Sequence, residues 1–263
     1  MYDFTYQKPA TLAAAVAALG AEDAKAMSGG MTLIPVLKQR LNKPSVVVDL
    51  SGLGLSGIRV TDSAVVIGAM TTHITVASSA EVKRAIPALA ALAGLIGDKE
   101  VRHRGTIGGS LANNDPAADY PAAVLALGAT ITTSKRSIAA EDYFQGMFTT
   151  ALEADEVITS VSFPIPAKAA YVKFKNPASR YAMVGVFVAS GPAGVRVAIT
   201  GAGQGGVFRH AGFEAALTAN WSADALKGVA TSADDLNSDI HASAEYRAHL
   251  CGVIAQRAVK AAG

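Results

Sequence analysis

Two glycine pairs, Gly29-Gly30 and Gly108-Gly109, are the residues of this sequence best suited to holding an anion. Glycine permits positive backbone torsions and puts no side chain between the main-chain amides and a ligand oxygen. The runs Ser28-Gly29-Gly30-Met31-Thr32 and Arg104-Gly105-Thr106-Ile107-Gly108-Gly109-Ser110 read as turns whose amides can face one pyrophosphate, with the positive end of a following helix in support. An isolated glycine pair is as a rule only a tight turn, so the surrounding elements decide the reading. A third run, Gly201-Ala202-Gly203-Gln204-Gly205-Gly206, satisfies the dinucleotide pattern G-x-G-x-x-G after an apolar run. A Rossmann NAD site also requires a further parallel strand that ends in an acidic residue. Residues 220–239 are instead rich in Ser, Asp and Ala, so this run is read as a decoy.

Other chemistries find little support. His73, His103, His210, His241 and His249 form no i, i+4 pair with an acidic partner, and His103 stands between two arginines, so each is read as a surface or hydrogen-bonded histidine and none as a metal ligand. No serine occupies a Gly-x-Ser-x-Gly elbow. The single cysteine, Cys251, excludes an intrachain disulfide, a four-cysteine zinc site and an iron-sulfur cluster with all its ligands in this chain.

The elements that must position the glycine turns can be read from periodicity and punctuation. Thr11 can cap a helix that Gly20 stops, and residues 24–27 form a short strand before the first turn. Helical spacing follows over residues 33–41, strands over 46–49 and 64–67, and helix again from Val76 through 79–83 and 87–96, the last opening on Pro87. After the second turn come a helix at 121–127 ended by Gly128 and strands at 130–133 and 157–163. Prolines and small residues at 164–168 mark a domain boundary. Beyond it, strands at 170–175, 182–189 and 195–200 suit an antiparallel sheet, with helices near 213–217 and 242–261. Strands and helices mix without strict alternation, which favours α+β over a doubly wound sheet.

The composition, 51% hydrophobic and 17% charged over 263 residues, supplies a core for one large domain or two modest ones. A net charge of +2 gives no reason to expect nucleic acid or an anionic membrane as partner. No apolar stretch approaches the roughly 20 residues of a membrane helix, and Met1 opens no secretory signal, so the expectation is a cytoplasmic protein with no membrane span.

The run from Val101 to Pro121, VRHRGTIGGSLANNDPAADYP, resembles the flavin-binding segment of the medium subunits of molybdenum hydroxylases, the family of aerobic carbon monoxide dehydrogenase and xanthine dehydrogenase. Ser28-Gly29-Gly30-Met31-Thr32-Leu33-Ile34-Pro35 is similar to the other FAD loop of that family, Ile67-Gly68-Ala69-Met70-Thr71-Thr72-His73 to the segment between them, and residues 171–184 to the opening of its C-terminal domain. The resemblance implies an α+β chain with a vanillyl-alcohol-oxidase/PCMH-type FAD-binding domain at 1–166, in subdomains of about 1–53 and 54–166. A C-terminal flavoprotein domain at 167–263, an antiparallel sheet with helices, would follow.

The same resemblance implies site residues. Met27, Ser28, Gly29, Gly30, Met31, Thr32, Leu33 and Ile34 match one pyrophosphate loop, and Thr106, Ile107, Gly108, Gly109 and Ser110 the other, both acting mostly through backbone amides and hydroxyls. Asp119 matches a carboxylate for the adenosine part, Ile96 a side chain beside the flavin, and Ile158 and Lys175 further contacts. Met31 stands where the family often has histidine or glutamine, so only its backbone is expected to act. Asp119, just before Pro121, can also cap the helix that follows, Lys175 can be a solvated strand lysine, and Tyr181 can either approach the isoalloxazine or pack as an ordinary aromatic. The implied function is FAD-carrying electron transfer from a partner to an external acceptor. A small iron-sulfur subunit with [2Fe-2S] clusters and a large molybdenum subunit with molybdopterin would complete a dimer of heterotrimers. A self-sufficient flavin oxidase or reductase of the same fold is the alternative.

Overall fold

The computed structural model describes residues 1–263. The chain opens with β1 (Thr5–Gln7), α1 (Leu12–Leu19), β2 (Lys25–Met27), α2 (Leu33–Lys38) and β3 (Val46–Asp49). Thr11 caps α1 by accepting from the Ala14 amide, and Gly20 ends the helix. β3 lies between β1 and β2, parallel to both, and Val48 is buried against Ala15 and Leu19 of α1. Ser28 therefore leaves the carboxyl end of a parallel strand, where such sheets gather ligands.

The middle of the chain runs through β4 (Ile58–Val60), β5 (Ala64–Gly68), α3 (His73–Ser78), α4 (Ala80–Ala85), α5 (Pro87–Gly94), α6 (Lys99–Arg104), α7 (Ile107–Asn113) and α8 (Tyr120–Leu127). It continues with β6 (Thr130–Thr133), β7 (Ser137–Ala139), α9 (Ala140–Tyr143), the short hairpin β8 (Phe144–Gly146) and β9 (Thr149–Thr150), and β10 (Ile158–Pro164). The strands form an antiparallel sheet in the order β4-β5-β10-β6-β7. Sequence reading expected only a turn over residues 104–110. Instead α6 runs to Arg104 and α7 already starts at Ile107, which leaves only Gly105 and Thr106 between them; Asp98 and Thr106 cap the two helices by accepting from the Val101 and Gly109 amides. Two glycines in its first turn lower the propensity of α7 by about 1 kcal/mol each, and the packing of Ile107 and Leu111 into the core overrides that.

The last part is β11 (Lys168–Lys175), β12 (Ala182–Gly191), β13 (Gly194–Thr200), β14 (Phe208–Arg209), α10 (Ala211–Ala219) and α11 (Ala244–Ala262). The four strands pair antiparallel in chain order. Alternation along β12 sends Phe187 and Ala189 to the main core, with Tyr171 and Ala198 of the neighbouring strands. Val184, Val186 and Val188 face a second core under α10 and α11. The G-x-G-x-x-G run lies between β13 and β14, which are antiparallel neighbours, so no βαβ unit exists there and the NAD reading is excluded. The fold is α+β, as expected, and no helix is long and apolar enough to cross a membrane.

Arg247 of α11 ties this layer together. It is buried and donates from Nη1 to the carbonyls of Met183 (2.7 Å) and Gly201 (3.1 Å), and from Nη2 to Asp239 (2.7 Å). Truncating it leaves two buried carbonyls without donors, each costing about 1–3 kcal/mol. Arg247→Leu is therefore expected to lower the unfolding free energy by roughly 2–4 kcal/mol, measured by urea denaturation; a change under about 0.5 kcal/mol would refute this role.

Candidate functional site

The turn after β2 and the turn between α6 and α7 meet face to face. A Cβ on Gly29 would collide with the Arg104 carbonyl oxygen and stand 2.9 Å from the Gly105 Cα, so only glycine allows the contact. Ser28 Oγ and Thr106 Oγ1 bridge the turns at 2.6 Å. Gly30, with φ +74°, then takes the left-handed conformation that turns the chain into α2. Behind the second turn, the Ile107 and Gly108 amides donate to the carbonyls of Thr71 and Ala69, and His73 N–H donates to Gly105 O. A Cβ on Gly108 would lie 2.7 Å from the Ala69 Cβ. Gly108 is thus glycine because α7 packs closely on the residue after β5, not to leave room for a ligand.

The turns border a cavity of about 680 Å³, a size typical of small-molecule sites. The backbone amides of residues 29–33 have no acceptor in the chain. In the second turn the amides of Gly105, Ile107, Gly108, Gly109 and Ser110 are all engaged, which leaves that of Thr106. The expected symmetric cradle is therefore lopsided: the first turn offers a row of amides, and the second a wall of small residues and hydroxyls.

Of the residues singled out from sequence, Ser28, Gly29, Gly30, Met31, Thr32, Leu33, Ile96, Thr106, Gly108, Gly109, Ser110, Asp119 and Ile158 line the cavity. Met27, Ile34, Ile107 and Lys175 do not. Ile107 is wholly buried, and Ile34 packs under Gly30. Lys175 is exposed at the end of β11, where the pairing with β12 shifts after Phe174, whereas Lys173, two residues earlier in the regular part of the strand, lines the cavity. The sequence shows a lysine at each of these positions, and only the register of β11 tells them apart.

Asp119 does not cap α8, since its side chain makes no capping bond. Its carboxylate accepts from the Tyr171 hydroxyl and from Lys173 Nζ at 2.9 Å, and Lys173 also donates to Leu95 O. Burial pushes the Asp119 pKa up, while the Lys173 charge and the Tyr171 bond oppose that. Tyr181 lines the cavity and is 49% exposed, which overturns its reading as a packed aromatic. Next to it Arg180, at φ +64°, lines the same wall. His73 corrects the view of every histidine as surface or hydrogen-bonded: its side chain is buried in the cavity wall and Nδ1 has no partner. No group of His, Cys, Asp and Glu is placed to hold a metal, and burial pushes the Cys251 thiol up to about 12.

Residues 2–166 match the family described as FAD binding domain in molybdopterin dehydrogenase. The chain is 36% identical to the carbon monoxide dehydrogenase medium chain of Afipia carboxidovorans, with 98% of this chain and 96% of that one covered. It is 35% identical to the nicotine 6-hydroxylase medium subunit of Paenarthrobacter nicotinovorans at the same coverage. Among solved structures, reconstituted CO dehydrogenase from Oligotropha carboxidovorans superposes with a TM-score of 0.91 at 34% identity, covering 99% of this chain and 97% of that one. Quinoline 2-oxidoreductase from Pseudomonas putida 86 gives 0.88 at 30% identity, covering 99% and 96%. The paired turns and most of the cavity lining thus lie within residues 2–166, and the chain belongs to the FAD-binding medium subunits of the molybdenum hydroxylases, as an oxidoreductase component.

Proposed function

We propose that this chain carries FAD as an electron-transfer subunit, accepting electrons from an iron-sulfur partner and passing them to an external acceptor. The row of unengaged amides at residues 29–33, set against Thr106 across the Gly29 contact, carries the reading. Such a row suits the two phosphates of a dinucleotide. The hydroxyls of Thr32 and Ser110 lie in the same cavity, and Ile96, Ile158 and Tyr181 give it apolar and aromatic surface for a ring. Asp119, held by Lys173 and Tyr171, keeps a carboxylate where ribose hydroxyls could donate. FAD supplies the exchange between two-electron and one-electron steps; the chain binds, orients and shields it. The division into 1–53, 54–166 and 167–263 follows the succession of the three larger sheets.

Cluster chemistry belongs elsewhere, because the one cysteine is buried within the second core. The relatives are named as medium chains or subunits, which supports a smaller and a larger partner; in this reading the small one carries iron-sulfur clusters, the large one molybdenum, and the assembly is a dimer of heterotrimers.

Apoprotein titrated with FAD is expected to bind it noncovalently, and FAD at a thousandfold excess over Kd should raise the unfolding free energy by about 4 kcal/mol. Gly29→Ala should weaken binding at least ~100-fold by forcing the turns apart, while Gly205→Ala, where a Cβ meets open space, should leave it unchanged. Fluorescence titration, with circular dichroism to check folding, measures both; equal affinities for the two variants would remove the cradle from the argument. The loaded chain alone should not oxidise aldehydes, N-heteroaromatics or carbon monoxide, and flavin reduction by substrate should need both partner subunits. Anaerobic turnover by the lone chain would instead identify a self-sufficient flavin oxidase.

A further inference from the structure

His73 is 4% exposed, yet it borders the cavity. Its ring packs on Tyr120, centroids 5.4 Å apart, and its Nδ1 is sealed with no hydrogen-bond partner. A buried polar atom left unpaired costs about 1–3 kcal/mol, and an apolar side chain of similar size would avoid that cost. The ring therefore serves something other than filling. Its other nitrogen packs on the second turn so closely that a Cβ on Gly105 would stand 2.6 Å from Nε2, and unlike Nδ1 it is not sealed from its surroundings. Gly105, Thr106 and Gly108 belong to the same stretch of cavity wall.

Burial, and then the Arg102 guanidinium, pushes the His73 pKa down to about 4, so the ring is neutral at pH 7, with one nitrogen a donor and the other an acceptor. Nδ1, with no acceptor in reach, takes the lone pair. The proton is then on Nε2, the nitrogen that is not sealed.

Resting on the FAD reading above, we propose that His73 is a further dinucleotide-binding residue, donating from Nε2 to the pyrophosphate held between the two turns. It adds a side-chain donor on the side where the second turn has spent most of its amides. A hydrogen bond to a charged oxygen of this kind corresponds to about 10-fold or more in affinity.

The test compares the wild-type apoprotein with His73→Leu and His73→Gln, titrated with FAD and with ADP, which has the pyrophosphate but no flavin. His73→Leu should weaken both ligands at least ~10-fold while the thermal midpoint of the apoprotein holds or rises, since the orphaned nitrogen is gone. His73→Gln, with an amide N–H in place of Nε2–H, should recover part of the loss. Unchanged FAD affinity in His73→Leu overturns the proposal. A loss confined to FAD, with ADP unaffected, overturns the pyrophosphate contact. A lower apoprotein midpoint with no recovery in His73→Gln marks the ring as structural and likewise overturns it. Failure of the wild type to bind FAD would instead strike the parent reading, so the two failures are told apart.

Discussion

The site depends on one close contact between residues far apart in sequence, Gly29 against the carbonyl of Arg104, locked by the hydroxyl bridge from Ser28 to Thr106. A main-chain approach this tight has no tolerance for a Cβ, and interiors packed at crystal-like density do not absorb the extra atom. The contact brings the open amides after β2 to the cavity wall formed by α7. Behind it, the hydrogen bonds from Ile107, Gly108 and His73 to residues 69, 71 and 105 hold the second turn against the residues that follow β5. The cradle is thus built from two small sheets at once, a parallel one whose strand end supplies donors and an antiparallel one that supplies the backing.

A second constraint joins the cradle to the last sheet. Asp119 at the start of α8 is held by Tyr171 and Lys173 of β11, and Lys173 reaches on to the carbonyl after α5. An ion pair removed this far from water is no large source of stability, because desolvation offsets much of the attraction. Its geometry is specific, however, and it fixes α5, α8 and β11 relative to one another at the cavity edge. The Thr200 hydroxyl donates to the Ala118 carbonyl at 2.6 Å and the Gly201 amide to that of Pro116, so the end of β13 also grips the segment that leads into α8. The C-terminal layer thereby shapes the cavity with Lys173, Arg180 and Tyr181, although the family match over residues 2–166 ends before it.

The amino-acid sequence by itself marked many of the elements and the glycines of the two turns, but not α6, α7 or the short strands β1, β4, β7 and β14. Thr11 and Gly20 bounded α1, β-branched runs marked β3 and β6, and the order of strands and helices pointed to α+β. The glycine pairs located the two turns that meet at the cavity, because the need for a missing Cβ is written in residue type. What only the tertiary structure decided was how each glycine acts and which neighbours share the site. Gly108 serves packing on Ala69 rather than ligand approach, and Lys173 rather than Lys175 reaches the cavity. His73 is an enclosed wall residue with an unpaired nitrogen, and Tyr181 is open to the cavity. The physical reason is that register, burial and the sharing of amides are set by contacts between segments dozens of residues apart, and local spacing carries no record of them.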